Sequence, residues 1–395
     1  MLKKSAFPLL LLNMFLANLS IGLVIPIIPE LLEQFRANGQ AAGYLVSCFG
    51  LTQFLFSPLA GNLSDRYGRK PMIIIGLILF AISNLLAAFA GDLTLLFVSR
   101  LIGGIGSAAL IPSIIAYIAD ITADEQRSKA MSWLGASMTS GFIIGPGVGG
   151  LLAEWGIKMP FYVSACVGLL AMVCSLWGLP ESLSADLRRM RRQVKEKREN
   201  VFRQIVLSVR SRYFVLLLIV FAMTFGLTHF EAIFPLFVVQ IYGFTTRQIA
   251  ILLTVCSLIG TLNQLLFTDR ITRRFGEKRI IVAMLLLSAV SLVFLLFSGH
   301  YYYVMVVTML FFTFNNILRP TINTLLSRVA GDEQGFVAGM NNAYTSLGTI
   351  FGPMLAGILF EVHFNLPYLF GGFVLLVSSI FTGSRLRSIQ SFQRG

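Results

Sequence analysis

The stretch GFIIGPGVGG at residues 141–150 recurs as GTIFGPMLAG at residues 348–357. Small residues four positions apart allow a neighbouring helix to approach closely, and a proline inside a helix bends it. Three other pairs have the same spacing of 207 or 208 residues: Pro112 and Pro320, Asp-Glu-Gln at 124–126 and at 332–334, and Gly68 and Gly276. The chain is therefore a duplication of one unit.

The paired stretches predict one kinked helix in each half, at the pseudo-symmetric interface between the halves. The residues expected to form the kinks and the close contacts are Gly141, Gly145, Pro146, Gly149, Gly150, Gly352 and Pro353.

The composition indicates a protein that lives in lipid. Of 395 residues, 56% are hydrophobic and only 12% charged, and the mean hydropathy is +0.79, whereas a soluble domain carries roughly 25% charged residues. Apolar runs long enough to cross a bilayer recur along the whole length. We predict an all-α membrane protein with twelve transmembrane helices in two pseudo-symmetric six-helix bundles, an architecture typical of secondary transporters.

The hydropathy pattern places six spans in each half. We predict spans at 7–30, 41–62, 71–90, 93–119, 129–153 and 159–180, and at 213–241, 247–268, 279–298, 301–329, 336–360 and 366–386. The predicted domains are residues 1–182 and 213–395. A basic cytoplasmic linker, 183–212, joins them and is expected to lie on the anionic inner leaflet as an amphipathic helix.

The distribution of positive charge gives the orientation. The formal net charge is +13, but the Lys and Arg residues concentrate in the two tails and in the loops on one side of the membrane. Three (Arg36, Lys158 and Arg247) fall on the other side, and Arg100 and Arg319 lie inside spans. This asymmetry places both termini in the cytoplasm, and it argues against nucleic-acid binding as the reason for the charge.

The loop GNLSDRYGRK at residues 61–70 predicts a conformational latch. Glycine permits a tight reversal between helices, and Asp120 is the expected counter-charge for Arg69. We expect these groups to hold the halves together on the inner side and to release when the halves rock. The latch residues are Gly61, Asp65, Arg66, Gly68, Arg69 and Asp120. In the second-half copy, residues 269–278, the acidic position does not match, so we expect the cluster in the first half alone.

Three charges lie deep within the predicted spans, away from their ends: Arg100, Glu231 and Arg319. A charge at a helix centre costs about 2.5–3.5 kcal/mol even on a lenient insertion scale, so each must face a partner or a wet cavity. Glu231 is the predicted proton carrier, because a carboxylate can bind a proton on one side and release it on the other. His229, two residues away on another face of the helix, is the rival proton carrier, although an imidazole in such a position is more often a packed or interfacial group.

A substrate cavity is predicted from polar and aromatic side chains in otherwise apolar helices. An aromatic, mildly polar cavity with one carboxylate suits bulky lipophilic cations. The predicted substrate-binding residues are Asn18, Phe49, Gln53, Arg100, Thr139, Phe142, Glu231, Asn316 and Arg319.

On these residues the chain resembles the major facilitator superfamily over its whole length, in the twelve-span drug:H+ antiporter branch. It is most similar there to the NorA/Bmr-type quinolone and multidrug exporters, sharing residues 22–26, 141–147 and Arg319-Pro320. The resemblance implies proton-driven export of fluoroquinolones, dyes and quaternary ammonium compounds. It also implies a second acidic residue three positions before Arg319, where this chain has Asn316.

Other classes of function fit less well. The leading hypothesis is a proton-coupled drug exporter, and the alternative is an exporter of a sugar or another endogenous metabolite. A receptor or a membrane enzyme is a third possibility, although the sequence has no paired catalytic groups and no metal-ligand spacing. We expect no cofactor and no metal, small-molecule drugs and protons as partners, a monomer, and a bacterial cell membrane as its location.

Overall fold

The computed structural model describes residues 2–184, 188, 190, 201–209, 211, 213–330 and 333–391, which are helical almost throughout and contain no strand. The helices of the first half are α1 Leu2–Val24, α2 Ile28–Gln34, α3 Gly39–Tyr67, α4 Arg69–Phe89, α5 Leu93–Ile121, α6 Asp124–Ala153 and α7 Met159–Gly178. A short helix, α8 Val201–Ser208, precedes the second half. The remaining helices are α9 Phe214–Tyr242, α10 Thr246–Phe275, α11 Glu277–Phe294, α12 Tyr301–Ala330, α13 Gln334–Val362 and α14 Leu366–Ser391.

Eleven segments among the described residues are long and apolar enough to cross a membrane, with α1 and α2 together forming the first. The predicted span that is not among these eleven is the ninth, 279–298, which corresponds to α11. That helix has 18 residues and begins Glu277-Lys278-Arg279, which leaves only 280–294 as its apolar part. At 1.5 Å per residue this part is about 22 Å long, which is short for a bilayer core of about 30 Å.

The predicted first span, 7–30, is interrupted in the structure. Helix α1 ends at Val24, a single 3₁₀ turn follows at Ile25–Ile27, and α2 then begins at Ile28. Pro26 and Pro29 have no backbone N–H, so a regular α-helix cannot run through both positions without losing hydrogen bonds. The two prolines therefore interrupt the C-terminal end of the span.

The chain forms two compact units. Unit 1 comprises Met1–Ala37, Cys48–Lys197 and Thr246–Ile251; unit 2 comprises Asn38–Ser47, Arg198–Thr245 and Leu252–Gly395. Each unit thus includes a few residues from the other half of the sequence. Most of the predicted linker, 183–212, lies outside the described residues. The predicted boundaries at 182 and 213 remain predictions.

The first Gly-Pro stretch packs α6 against α1 inside unit 1. A methyl group at Gly141 would overlap the carbonyl oxygen of Phe15, and one at Gly149 would overlap that of Leu23. At Gly145 it would come within 2.7 Å of the Cα of Gly22. The three glycines, four residues apart, therefore form the surface on which the α1 backbone lies, as small residues do in membrane helix pairs.

The second stretch repeats this arrangement in unit 2, between α13 and α9. A methyl group at Gly348 would lie 2.8 Å from Cβ of Thr224, and one at Gly352 would lie 2.5 Å from Oγ1 of Thr228. The hydroxyl of Thr228 donates to the carbonyl oxygen of Gly348 at 3.1 Å. Both halves thus use the same device to bring two helices together.

The last glycine of each stretch contacts a helix start from the other half of the sequence. Gly150 lies against Ala250 of α10, which belongs to unit 1, and Gly357 lies against the carbonyl oxygen of Gly39, which belongs to unit 2. In unit 2, Ser47 also donates to the carbonyl oxygen of Ile350 at 2.7 Å. The motif therefore joins the beginnings of α3 and α10 to α13 and α6.

We expect Gly149→Ala to lower the stability of the protein by roughly 1–3 kcal/mol, because the new methyl group meets the backbone of Leu23, which cannot rotate away. Gly135→Ala, in the same helix, is the matched control. Nothing lies within 4 Å of a methyl group at Gly135, so that variant should gain up to about 1 kcal/mol from helix propensity. Thermal unfolding of the detergent-purified variants measures both effects, and equal midpoints would contradict the packing role of Gly149.

Candidate functional site

Glu231 and Arg319 form the charged centre of unit 2. Glu231 is half-buried on α9, Arg319 is exposed on α12, and the two lie within electrostatic range of each other. Within the described part of the chain, neither the carboxylate nor the guanidinium makes a hydrogen bond. Since these groups carry strong hydrogen-bonding capacity, their unmet capacity is available to water or to a ligand.

Arg319 belongs to a polar stripe on α12. The stripe consists of Asn316, Arg319, Asn323 and Ser327, at spacings of three, four and four residues, so its members share one helix face. The last three are exposed and Asn316 is half-buried. Hydrocarbon cannot accommodate such a face at reasonable cost. The stripe therefore faces an aqueous space.

The other faces of these helices are aromatic and tightly packed. Phe230, next to Glu231, is 2% exposed and stacks on Phe234 with ring centroids 4.6 Å apart. It also meets Phe311 of α12 at 4.7 Å and Tyr368 of α14 at 6.3 Å. This aromatic wall fixes the axial positions of α9 and α12 and thereby fixes the separation of Glu231 and Arg319.

Asn316 occupies the position where the resemblance implies an acid. It lies on the α10 side of α12, with Nδ2 3.0 Å from the point where a side chain at Gly260 would begin. One turn along the same pair of helices, Asn263 of α10 donates to the hydroxyl of Thr313 at 3.1 Å. This part of the α10–α12 contact is thus neutral and amide-lined, so Glu231 is the carboxylate of the unit 2 site.

In unit 1, Arg100 lies beside an aromatic ring. Its guanidinium carbon is 5.7 Å from the ring centroid of Phe161, within the range of a cation–π contact. The stretch that follows Arg100 packs closely against its neighbours. The hydroxyl of Thr52 lies where a side chain at Gly104 would begin, and Gly106 lies against Leu79 of α4. Arg100 is thus held on a rigid α3–α4–α5 bundle.

The remaining predicted cavity residues of unit 1 are dispersed over three helices. Gln53 of α3 donates to the hydroxyl of Ser107 on α5 at 3.0 Å, and Phe49 packs on Gly103. Asn18 donates to the carbonyl oxygen of Met14 within α1 at 2.9 Å. On α6, Thr139 is exposed and Phe142 is half-buried. Their role in binding stays a prediction, since no contact unites all of them.

In unit 1, near the end of α3 and the start of α4, Arg69 is the centre of a buried charge cluster. Its side chain is only 7% exposed and pairs with Asp65 at 2.7 Å and with Asp120 at 3.1 Å. It also donates to the hydroxyl of Ser64 at 3.2 Å. Asp120 in turn accepts from the hydroxyl of Ser182 at 2.8 Å. The cluster thus joins α3, α4, α5 and the segment after α7.

Glu181 belongs to this cluster and was missed in the sequence. Its carboxylate accepts the backbone N–H groups of Arg69 at 2.9 Å and Lys70 at 3.2 Å, and so caps the N-terminus of α4. Gly68 precedes the helix with a φ of 119°, and any side chain there would collide with Glu181. The sequence signal that could have revealed it is a single glutamate just after the sixth predicted span.

Of the other latch residues, Gly61 has open space around it, and Arg66 is half-buried beside Asp65.

The second half contains the counterpart of the Arg69–Asp120 pair with its charges exchanged. Glu277 stands 208 positions after Arg69, and Arg328 stands 208 positions after Asp120; their side chains pair at 2.9 Å. Gly276 precedes α11 with a φ of 80°, as Gly68 precedes α4. The expectation of a cluster in the first half alone overlooked this pair, because the acid had moved from one partner to the other.

Comparison with known proteins identifies relatives along the whole chain. Residues 10–273 and 264–388 match the family model of the Major Facilitator Superfamily. Multidrug resistance protein 2 of Bacillus subtilis is 41% identical over 375 residues, which is 95% of this chain and 94% of that protein. Quinolone resistance protein NorA of Staphylococcus aureus is 35% identical over 356 residues, 90% of each chain.

Solved structures give the same fold. The crystal structure of the nucleoside transporter NupG superimposes with a TM-score of 0.80 over 97% of this chain and 99% of that chain, at 15% sequence identity. At this identity the similarity concerns the fold alone. It agrees with the two-bundle helical architecture predicted from the duplication.

We expect Gly68→Ala to be more damaging than Gly276→Ala. Both substitutions force a side chain into a left-handed backbone conformation, which costs roughly 1–2 kcal/mol. Only at Gly68 does the new methyl group also collide with the carboxylate that caps α4. Thermal unfolding of the two variants measures the difference. Equal losses of stability would show that Glu181 moves aside freely and does not fix the loop.

We expect the Glu277–Arg328 pair to behave as a matched unit in a double-mutant cycle. Glu277→Arg or Arg328→Glu alone places like charges together, whereas the double exchange restores an attractive pair. Because Arg328 is largely exposed, the coupling energy should be about 0.5–1 kcal/mol. The pair Asp269–Arg273, in which both side chains are largely exposed, is the control and should show almost no coupling. Additive effects at 277 and 328 would contradict the pairing.

Proposed function

Because the chain belongs to the Major Facilitator Superfamily, we propose that it exports lipophilic, often cationic drugs in exchange for protons, by alternating access. Family membership makes it a multi-pass membrane transporter and not an enzyme. The relatives named for multidrug and quinolone resistance support fluoroquinolones, dyes and quaternary ammonium compounds as substrates. We place it as a monomer in a bacterial cell membrane with both termini in the cytoplasm.

The observation that carries this proposal is the polar stripe of α12 with Glu231 beside it. Arg319, Asn323 and Ser327 are exposed on one face of a membrane helix, and such a face requires water. Glu231 is half-buried next to the stripe and makes no hydrogen bond to the described residues. A group in this position can be reached by a proton or by a cationic drug.

Competition at Glu231 would couple the two movements. The ionised carboxylate attracts a cationic drug, and the protonated carboxyl does not. Binding of a proton from outside therefore favours release of the drug, and loss of that proton inside restores the anion. Arg319, close by, supplies donors for the carboxylate of a fluoroquinolone. The aromatic wall around Phe230 holds the two groups at a constant separation.

The charge clusters at the inner helix ends would serve as the latch of the cycle. Arg69 with Asp65 and Asp120, and Glu277 with Arg328, make the inner ends of neighbouring helices move as one body. Rigid inner ends are required if a whole bundle is to rock, since a bundle that bends locally would not transmit motion from one side of the membrane to the other.

The test is ethidium and norfloxacin transport by the purified protein in proteoliposomes under an imposed pH gradient. The wild type should transport both, whereas a sugar or metabolite exporter would ignore them. Glu231→Gln should abolish gradient-driven transport. It should also weaken ethidium binding about ten- to hundredfold, the loss expected for one charge-assisted contact.

Glu125→Gln is the matched control, because Glu125 is an exposed glutamate at the start of α6. It should leave both transport and binding unchanged. Unchanged drug–proton exchange in Glu231→Gln would remove Glu231 as the carrier.

A further inference from the structure

His229 has an unusual set of neighbours for a buried imidazole. The side chain is 1% exposed. Its Nδ1 lies 2.9 Å from the carbonyl oxygen of Gly352 on α13, and its Nε2 lies 2.8 Å from the carbonyl oxygen of Pro367 on α14. Both ring nitrogens of this residue therefore face groups that can only accept hydrogen bonds.

A neutral imidazole has one N–H donor and one bare nitrogen, whereas the imidazolium has two N–H donors. In the neutral form, one carbonyl oxygen would face a nitrogen lone pair at less than 3 Å, which is repulsive. Only the doubly protonated ring donates to both carbonyl oxygens. We propose that His229 is a second proton-binding site of the transporter, occupied in the conformation described here.

The surroundings can stabilise the positive charge. A buried cation is costly unless it is hydrogen-bonded and paired. Here two carbonyl dipoles accept from the ring, and the faces of Phe225 and Phe370 lie with centroids 5.1 and 6.2 Å from the imidazole centroid. Aromatic faces attract cations.

No other titratable group in the described residues takes the place of the carbonyl oxygens. Among the residues whose side chains the structure describes, the titratable or charged groups on the helices packed around His229 are Glu231 and Tyr242 on α9, Glu277, Lys278 and Arg279 on α11, Tyr301, Tyr302, Tyr303, Arg319 and Arg328 on α12, Tyr344 and Glu361 on α13, and Tyr368 on α14. Among the described residues, none of them hydrogen-bonds to the imidazole ring. Occupancy of the site is therefore governed by the positions of Gly352 and Pro367.

This arrangement gives the proton a route to movement. The two acceptors lie on different helices, and Gly352 immediately precedes Pro353, inside the Gly-Pro motif of α13. If α13 or α14 shifts relative to α9, one carbonyl oxygen leaves the ring. The imidazolium then loses one of its two hydrogen bonds, and the nitrogen left without a partner gives its proton to water that enters where the carbonyl oxygen lay. The second proton thus follows the repacking of α9, α13 and α14, not drug binding at Glu231.

The inference rests on the proposed antiport, but its first test does not need transport. A variant carrying His300→Gln and His363→Gln retains His229 as the single histidine; both replaced residues lie at exposed loop or helix-end positions. With ring-15N-labelled histidine in lipid nanodiscs, both nitrogens should resonate as N–H at neutral pH. One protonated and one bare nitrogen would overturn the proposal, whether or not the protein moves drugs.

Transport supplies the second test. Exchange of two protons for one monovalent cation moves net charge, whereas exchange of one proton does not. In proteoliposomes, ethidium transport by the wild type should respond to an imposed membrane potential. His229→Gln retains one side-chain N–H donor group but cannot hold the extra proton, so it should lose the response to potential while still responding to a pH gradient.

The outcomes are distinct. A wild type that ignores the membrane potential, or a His229→Gln variant that still responds to it, overturns the second proton site and leaves the function at Glu231 intact. Loss of all transport in Glu231→Gln, with the response to potential changed in His229→Gln, supports both. If His229→Gln does not fold, the 15N measurement on the single-histidine variant decides.

Discussion

The cost of placing charge in lipid organises this protein more than any other constraint. Each of the few charges within its spans must meet a partner, an aromatic face or water. Arg100 lies beside Phe161, Arg319 lies on a polar stripe with Glu231 near it, and His229 lies between two carbonyl oxygens. These three solutions differ, and each one marks a place where the helices are held by something other than apolar packing.

Much of the fold follows from the sequence, because membrane helices are recognised as long apolar runs and the duplication indicates the same number in each half. All the predicted spans have a helix in the structure, with ends that differ by a few residues. The departures have local causes: Pro26 and Pro29 interrupt the first span, and the charged first turn of α11 shortens its apolar part. Most of the predicted linker, 183–212, lies outside the described residues.

The site was less accessible to sequence reasoning. Glu231 and Arg319 stand out in the sequence because they are charged, and in the structure they lie within electrostatic range of each other. Glu181, the Glu277–Arg328 pair and the two acceptors of His229 did not stand out. Every residue has a backbone carbonyl oxygen, so the sequence does not show which of them accept hydrogen bonds from His229. The Glu277–Arg328 pair is missed when the halves are compared position by position, because the acid and the base have exchanged places. The sequence offers His229 only as a rival to Glu231, because the position of a residue on its own helix does not reveal the carbonyl oxygens of two neighbouring helices.

The exchange of charges between the Arg69–Asp120 and Glu277–Arg328 pairs affects how a duplicated chain assembles. The two halves are alike enough that a helix of one could dock in the place meant for its twin while the chain is being inserted, a common hazard of repeated domains. Such an error would set Arg69 beside Arg328, or Glu277 beside Asp120. Like charges would then meet at a partly buried position. Each half is therefore more stable when it packs its own helices together than when it takes in a helix of the other half.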